Sequence, residues 1–179
     1  MDIETRKWEV LCSEEDIAAR LKELGKQLSQ EYKDKNLMVI SLLKGSFIFT
    51  ADLVRNMDIP VKIGFMTTSS YGHGEQTSGQ VSMLSDITDD IQGYDVLVVD
   101  DITDSGLTMK FVMDHLKTKN PSSVKCCVLL DKPSRRKADL VPDYCGFTIE
   151  DKFVVGYGLN YGDYYRNIPY VFVVTYEER

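Results

Sequence analysis

The chain has 179 residues, 43% of them hydrophobic, and a formal charge of −7. That is enough for one α/β domain with a substantial core and too little for two, and an acidic chain has no general affinity for nucleic acid backbones. A small anionic ligand is not excluded, because backbone N–H groups, a few cations or a metal can hold one locally.

No Pro/Gly/Ser-rich linker, internal repeat or low-complexity run divides residues 1–179, so a single domain is expected. Cys12, Cys126, Cys127 and Cys145 form no C-x-x-C pair. They are expected as free thiols in a reducing cytoplasm. No apolar run reaches the roughly 18 residues of a membrane span and no basic-then-apolar leader is seen, so a soluble cytoplasmic protein is expected.

Ser13 suits a helix N-cap, with Glu14, Glu15 and Asp16 in a first turn where the helix dipole favours negative charge. Ile17, Leu21, Leu24 and Leu28 then recur at helical spacing, which predicts a packing helix from about Glu14 to Tyr32. Leu37–Leu43 is a continuous apolar run, the pattern of a central parallel strand. It ends in Lys44-Gly45-Ser46, and a helix is predicted over 47–56. That junction suits an ordinary βα turn or a cation and bare N–H groups offered to an anion. Asp58-Ile59-Pro60 breaks the chain, and Val61, Ile63 and Phe65 alternate as in a strand.

Residues 69–80 are polar, with three glycines and no periodicity. A loop of this length in a compact domain suits a lid or a plain hairpin tip, and His73 within it has no second histidine at metal-ligand spacing. Val81–Leu84 is predicted to pair back. Asp86, Asp89 and Asp90 form an acidic turn, expected as a solvated face. Val124–Leu130 is another apolar strand, followed by Asp131-Lys132-Pro133-Ser134-Arg135-Arg136-Lys137, a solubilising loop or a site at a strand end. From about residue 142 the chain turns to tyrosine, glycine and short apolar runs, read as a small β-rich cap. The strand–helix alternation before it predicts an α/β fold with a mostly parallel central sheet flanked by helices.

The stretch VLVVDDITDSGLTM, residues 96–109, carries the densest chemistry. Four apolar residues predict a buried strand. Asp100, Asp101 and Asp104 follow, then Ser105-Gly106, and then helical spacing through Leu107, Phe111, Val112 and Leu116. Open α/β sheets bind ligands at such strand ends. No P-loop, dinucleotide fingerprint, nucleophile elbow or H-E-x-x-H helix is present. Asp100 and Asp101 can accept from ribose hydroxyls or hold a hydrated Mg²⁺. Residues 103–108 offer N–H groups and hydroxyls at a helix N-terminus, a cradle for phosphate. A ribose phosphate with a reacting anomeric carbon uses all these features. An acidic turn is the bland alternative.

At these residues the chain resembles the phosphoribosyltransferases, and more narrowly the bacterial hypoxanthine(-guanine) type. Matching stretches run along nearly the whole length: Leu42-Leu43-Lys44-Gly45, Ser69-Ser70-Tyr71-Gly72, the central loop, residues 130–136, residues 152–158 and Tyr165-Arg166-Asn167. The resemblance implies a type I phosphoribosyltransferase fold whose C-terminal part, from about 142, forms a purine-binding hood. It implies transfer of a 5-phosphoribosyl group from phosphoribosyl pyrophosphate to a 6-oxopurine, giving IMP and GMP in purine salvage, with Mg²⁺ as cofactor and a homodimer or homotetramer as assembly. By carry-over Asp100 and Asp101 bind ribose and metal, and Asp104 is the general acid/base at purine N7. Asp104, Ser105, Gly106, Leu107 and Thr108 hold the 5′-phosphate. Lys44, Gly45 and Arg166 hold pyrophosphate, with a cis peptide expected at Leu43–Lys44. Lys132 donates to the 6-oxo group, Phe153 stacks on the base, Val154 reads its edge, and Ser70-Tyr71 begin a lid.

Two positions depart from the family pattern. Asp100 stands where Glu is usual, a shortening that related Asp-Asp enzymes tolerate. Asn160 stands where an acid is usual near a second Mg²⁺, which puts that metal site and guanine preference in question. Two other functions are weighed on the same fold: a nucleotide-sensing regulator, disfavoured by the acidic charge, and a transferase for xanthine, pyrimidine or adenine. Lys132, Phe153 and Asp104 together disfavour the latter.

Overall fold

The computed structural model describes residues 7–70 and 81–175. In chain order they form β1 (Lys7–Cys12), α1 (Glu14–Glu31), β2 (Leu37–Leu43), α2 (Phe47–Arg55), β3 (Lys62–Ser70), β4 (Val81–Ser85), β5 (Asp95–Thr103), α3 (Leu107–Lys117), β6 (Ser123–Asp131), a 3₁₀ turn (Pro133–Arg135), β7 (Tyr144–Thr148), β8 (Val154–Val155) and β9 (Val171–Thr175). The main sheet runs β4-β3-β2-β5-β6-β7. All its pairs are parallel except β3 with β4, the two arms of a hairpin.

The unbroken apolar runs follow from burial on both faces of the sheet. Leu37, Val39, Leu97, Val99 and Cys127 point to one face, where Leu21, Leu24 and Leu28 of α1 and Phe49 and Leu53 of α2 cover them. Met38, Ile40, Val96, Val98 and Cys126 point to the other, under Met109, Val112 and Leu116 of α3. Adjacent Cys126 and Cys127 thus belong to opposite cores. All four cysteines are free thiols. Burial pushes the Cys12 and Cys126 thiols up to about 11 and about 12, which keeps them protonated and unreactive. Helix α1 starts on the predicted cap: Ser13 and Asp16 exchange side-chain and backbone hydrogen bonds in a capping box.

The cap is a three-stranded antiparallel sheet in the order β1-β9-β8. Its composition differs from the sequence reading in two ways. Tyr144–Thr148, read as part of the cap, is the sixth strand of the main sheet, parallel to β6. Gly146 permits that approach, since a Cβ there would lie 2.5 Å from the Leu129 carbonyl oxygen. The third cap strand comes from Lys7–Cys12, which shows no strand pattern of its own because Trp8, Glu9 and Val10 are all exposed. The acidic turn also differs from a merely solvated face: Asp86 pairs with His115 and Lys119, each at 2.9 Å, and ties the β4 end to α3.

Candidate functional site

Strands β2, β5 and β6 lie side by side in the main sheet, and the residues leaving their C-terminal ends are Lys44, Asp104 and Lys132. Parallel strands cannot turn back directly, so each releases its chain at the same edge, and ligand sites collect there.

The β5–α3 loop is open toward solvent over a pocket of about 260 Å³ lined by Asp100, Asp104, Ser105, Leu107 and Thr108. Gly106 holds the N-cap position of α3 with φ +76°, a left-handed conformation costly for any other residue. No side chain caps the helix and no acidic residue stands in its first turn. The Leu107 N–H meets Ser105 Oγ in a long contact of 3.4 Å, and the first-turn N–H groups with the positive end of the dipole face the pocket, which suits a phosphate.

The loop after β6 clamps this cradle. Lys137 and Ala138 each donate a backbone N–H to the Ser105 carbonyl at 2.9 Å, and Lys132 donates its N–H to the Thr103 carbonyl at 2.9 Å. Arg136 donates to the Asp104 carbonyl at 3.2 Å and forms an ion pair with buried Asp131. The basic stretch after β6 is thus built into this strand-end region: Arg136 holds the β5–α3 loop. The sequence showed the charge cluster but not that its partner is Asp131.

Asp100 and Asp101 end the apolar part of β5. Burial and the neighbouring Asp101 carboxylate hold the Asp100 carboxyl well above the usual carboxylate range. Burial also raises Asp101, against hydrogen bonds to its carboxylate and the charge of Arg166. A divalent cation would let two such acids ionise side by side. Among the described residues no cluster of three or more metal-ligating side chains occurs. Mg²⁺ commonly takes one or two carboxylates and completes its shell with phosphate oxygens and water, so Asp100 and Asp101 fit it.

Opposite them, the Leu43–Lys44 peptide is cis, as the family resemblance implied. Lys44 is exposed. Gly45 packs against Asp101 so closely that a Cβ would fall 1.8 Å from the carboxylate. The cap reaches the same point: a Cβ on Gly158 would lie 2.0 Å from the Gly45 carbonyl oxygen. Arg166 donates to the Gly158 carbonyl at 2.5 Å. Lys44, Gly45, Asp101 and Arg166, distant in sequence, therefore converge. In the sequence Gly158 stands in a Gly-x-Gly without helix context and ends a stretch that matches the family, and neither relates it to Gly45.

Lys132 is buried, 5% exposed, with Asp104 at 3.6 Å and Asp151 at 3.9 Å. Asp104 Oδ1 is itself buried and makes no hydrogen bond. Asp151 was missed in the sequence because nothing there relates it to Lys132. Phe153 is 47% exposed and meets Tyr161 edge to face at 5.9 Å. Val154 lies buried in β8, paired with Val173. Asn160 turns its amide onto the Gly162 carbonyl and so holds its own hairpin. Ser70 ends β3; Tyr71 and His73, and with them the lid reading, lie outside the described residues.

A mostly parallel α/β sheet thus carries a carboxylate pair and a helix N-terminus suited to an anion at its strand ends, with a second small sheet reaching the same edge, the layout of an α/β enzyme with its ligand site at the strand ends. The chain belongs to the phosphoribosyl transferase domain family, whose model matches residues 7–162, and it has the type I fold. It is 49% identical to hypoxanthine-guanine phosphoribosyltransferase of Aquifex aeolicus over 97% of this chain and 98% of the relative. It is 48% identical to hypoxanthine phosphoribosyltransferase of Haemophilus influenzae, over 95% and 97%. A solved hypoxanthine phosphoribosyltransferase of Staphylococcus aureus superposes with a TM-score of 0.89 at 43% identity, covering 93% of this chain and 91% of that one.

Proposed function

We propose that this chain transfers the 5-phosphoribosyl group of phosphoribosyl pyrophosphate to N9 of hypoxanthine, and also of guanine, giving IMP or GMP and pyrophosphate in purine salvage. The observation that carries the reading is the pair formed by Asp104 and Lys132 at the mouth of the phosphate cradle. A purine seated between cap and cradle meets a carboxylate that takes the N7 proton and an ammonium that donates to a 6-oxo oxygen. A 6-amino group would present a donor to that ammonium, which disfavours adenine.

The bond between ribose C1′ and pyrophosphate breaks as the bond to N9 forms, and positive charge develops on the sugar. Lys44, the Gly45 N–H and Arg166 stabilise the departing pyrophosphate. Asp104, Ser105, Gly106, Leu107 and Thr108 fix the 5′-phosphate, and Asp100 and Asp101 orient the ribose hydroxyls. Phe153 stacks on the base and Val154 reads its edge. Mg²⁺ held at Asp100 and Asp101 would supply charge neutralisation for the diphosphate. Asn160 adds no charge to that set, so a single protein-anchored metal site is assigned.

The four free thiols support a reducing, cytoplasmic location. No described helix is long and apolar enough to cross a membrane. A homodimer or homotetramer is assigned, supported by exposed Phe47, Ile63, Phe65 and Leu84; sedimentation as a monomer at micromolar concentration would contradict it. The activity is tested with purified protein, phosphoribosyl pyrophosphate, Mg²⁺ and each free base in turn. Turnover with hypoxanthine or guanine is expected, and turnover with neither overturns the reading.

A further inference from the structure

The run Leu37–Leu43 contains one polar residue, Ser41, on the face that Leu37 and Val39 otherwise make apolar. Its side chain is fully buried beneath α2, as is Ser46, and Thr50 is 3% exposed. Ser41 Oγ lies 2.7 Å from Ser46 Oγ and 2.9 Å from Thr50 Oγ1, and Ser46 Oγ donates to the Leu42 carbonyl at 2.6 Å.

The end of this chain sets its direction. A carbonyl only accepts, so the single Ser46 proton goes to Leu42. Ser46 Oγ is then an acceptor toward Ser41, Ser41 spends its proton there, and Thr50 donates to Ser41. Each of the three hydroxyl protons has one acceptor, and the sequence Thr50, Ser41, Ser46, Leu42 carbonyl runs one way. Aligned chains of this kind strengthen each member in a low-dielectric interior.

The same bonds divert Ser46 from its usual work. It occupies the N-cap position of α2 but with helical dihedrals, φ −77° and ψ −6°, and makes no side-chain cap. Its hydroxyl reaches back across Lys44 and Gly45 instead. That loop is therefore pinned from below, between the β2 end and the first turns of α2, while the N–H groups at the start of α2 keep no side-chain acceptor beside Lys44.

We infer that the buried hydroxyl chain of Thr50, Ser41 and Ser46 is a positioning device that fixes Lys44 and Gly45 for the pyrophosphate group. This rests on the phosphoribosyl-transfer reading. The three residues touch neither substrate nor reacting atoms; they act through the loop they hold.

The test compares the wild type with Ser41→Ala, Thr50→Val and Thr50→Ser by steady-state kinetics, varying phosphoribosyl pyrophosphate and hypoxanthine separately, alongside urea unfolding. Ser41→Ala and Thr50→Val are expected to raise KM for phosphoribosyl pyrophosphate about five- to twentyfold, the scale of a disrupted buried hydrogen bond. KM for hypoxanthine should stay within about twofold in both. Thr50→Ser, which keeps the donor, should behave as the wild type. Thr50→Val preserves shape and keeps the test open should Ser41→Ala fold poorly. An active wild type whose variants shift both KM values equally, or shift only the urea midpoint, would leave the network a packing feature and overturn the inference alone. A wild type inactive on every base would overturn the reading on which it rests.

Discussion

Asp104 Oδ1 and Lys132 Nζ stand 3.6 Å apart, near enough to feel each other's charge and too far for a hydrogen bond. Both keep bonding capacity that a ligand between them can use. Asp104 Oδ1 is buried with no donor, a costly state unless something arrives to satisfy it. Replacing the carboxylate by an amide of the same shape removes the proton acceptor and keeps the packing. Asp104→Asn is expected to lower kcat by roughly 10²–10⁴, the range for losing a general acid/base. Unchanged kcat would take Asp104 out of the chemistry.

Lys132 should act on the base rather than on the sugar. Its Nζ faces Asp104 and Asp151 at the cap side, and its backbone is tied to Thr103. Lys132→Ala is expected to raise KM for hypoxanthine by at least about tenfold, the lower end for a lost charge-assisted bond. KM for phosphoribosyl pyrophosphate should move much less. A larger effect on phosphoribosyl pyrophosphate than on the purine would contradict the assignment.

The Asp131–Arg136 pair is mostly buried, with 11% and 16% of the side chains exposed. Removing one partner strands the other in a low-dielectric site, which costs about 3–5 kcal/mol. Asp131→Asn and Arg136→Met should each destabilise the fold on that scale. The double variant should be destabilised by less than the sum, since neither charge is then left alone. Urea denaturation of the four proteins measures the coupling, and simple additivity would show that the pair does not act as a unit.

What the sequence disclosed follows from how each feature is encoded. Strands β2, β5 and β6 were legible because burial on both faces writes a continuous apolar run. Helix α1 was legible because Ile17, Leu21, Leu24 and Leu28 recur at helical spacing behind a Ser13 cap and an acidic first turn. Strand β1 was not, since its pairing partner Val171–Thr175 lies at the other end of the chain and its outward residues include Trp8 and Val10. Within the site, Asp100, Asp101 and Asp104 share one strand end and read as a group. Asp151 and Lys132, or Gly158 and Gly45, meet only in three dimensions, and no local pattern joins them. Ser41 gave a signal that an apolar reading of LMVISLL passes over: one hydroxyl in a strand with no water to satisfy it.

Asp86 supplies a pH-dependent tie away from the site. Burial works against its ionisation, but Lys119, His115 and the Ile87 N–H outweigh it and lower its pKa. A carboxyl whose folded pKa lies below its unfolded value of about 3.9 contributes stability above that value and loses it as pH falls through the folded one. The side chains are about one-third exposed, so salt weakens the effect. Thermal unfolding between about pH 2.5 and 6 should show a shallower pH slope for Asp86→Asn than for the wild type. Equal slopes would mean that Asp86 pairs no better folded than unfolded.

Gly45 is the position where the smallest addition should do the most. A methyl group there would meet Asp101 Oδ2 at 1.8 Å and Cγ at 2.5 Å, distances no real contact allows. Asp101 has little freedom to yield, because its other oxygen accepts the Ile102 N–H at 3.0 Å. The loop has little either, with Gly158 packed on the Gly45 carbonyl. Either the carboxylate turns away or the loop lifts, and both displace groups assigned to pyrophosphate and metal by about an ångström, a misplacement that costs about 10² in rate. Gly45→Ala should therefore lose about that factor in kcat/KM for phosphoribosyl pyrophosphate. Forcing that displacement strains a packed junction, so the urea midpoint should fall as well, by the equivalent of about 1–3 kcal/mol. A variant with normal kcat/KM would show that Lys44 and Asp101 need not be held this close.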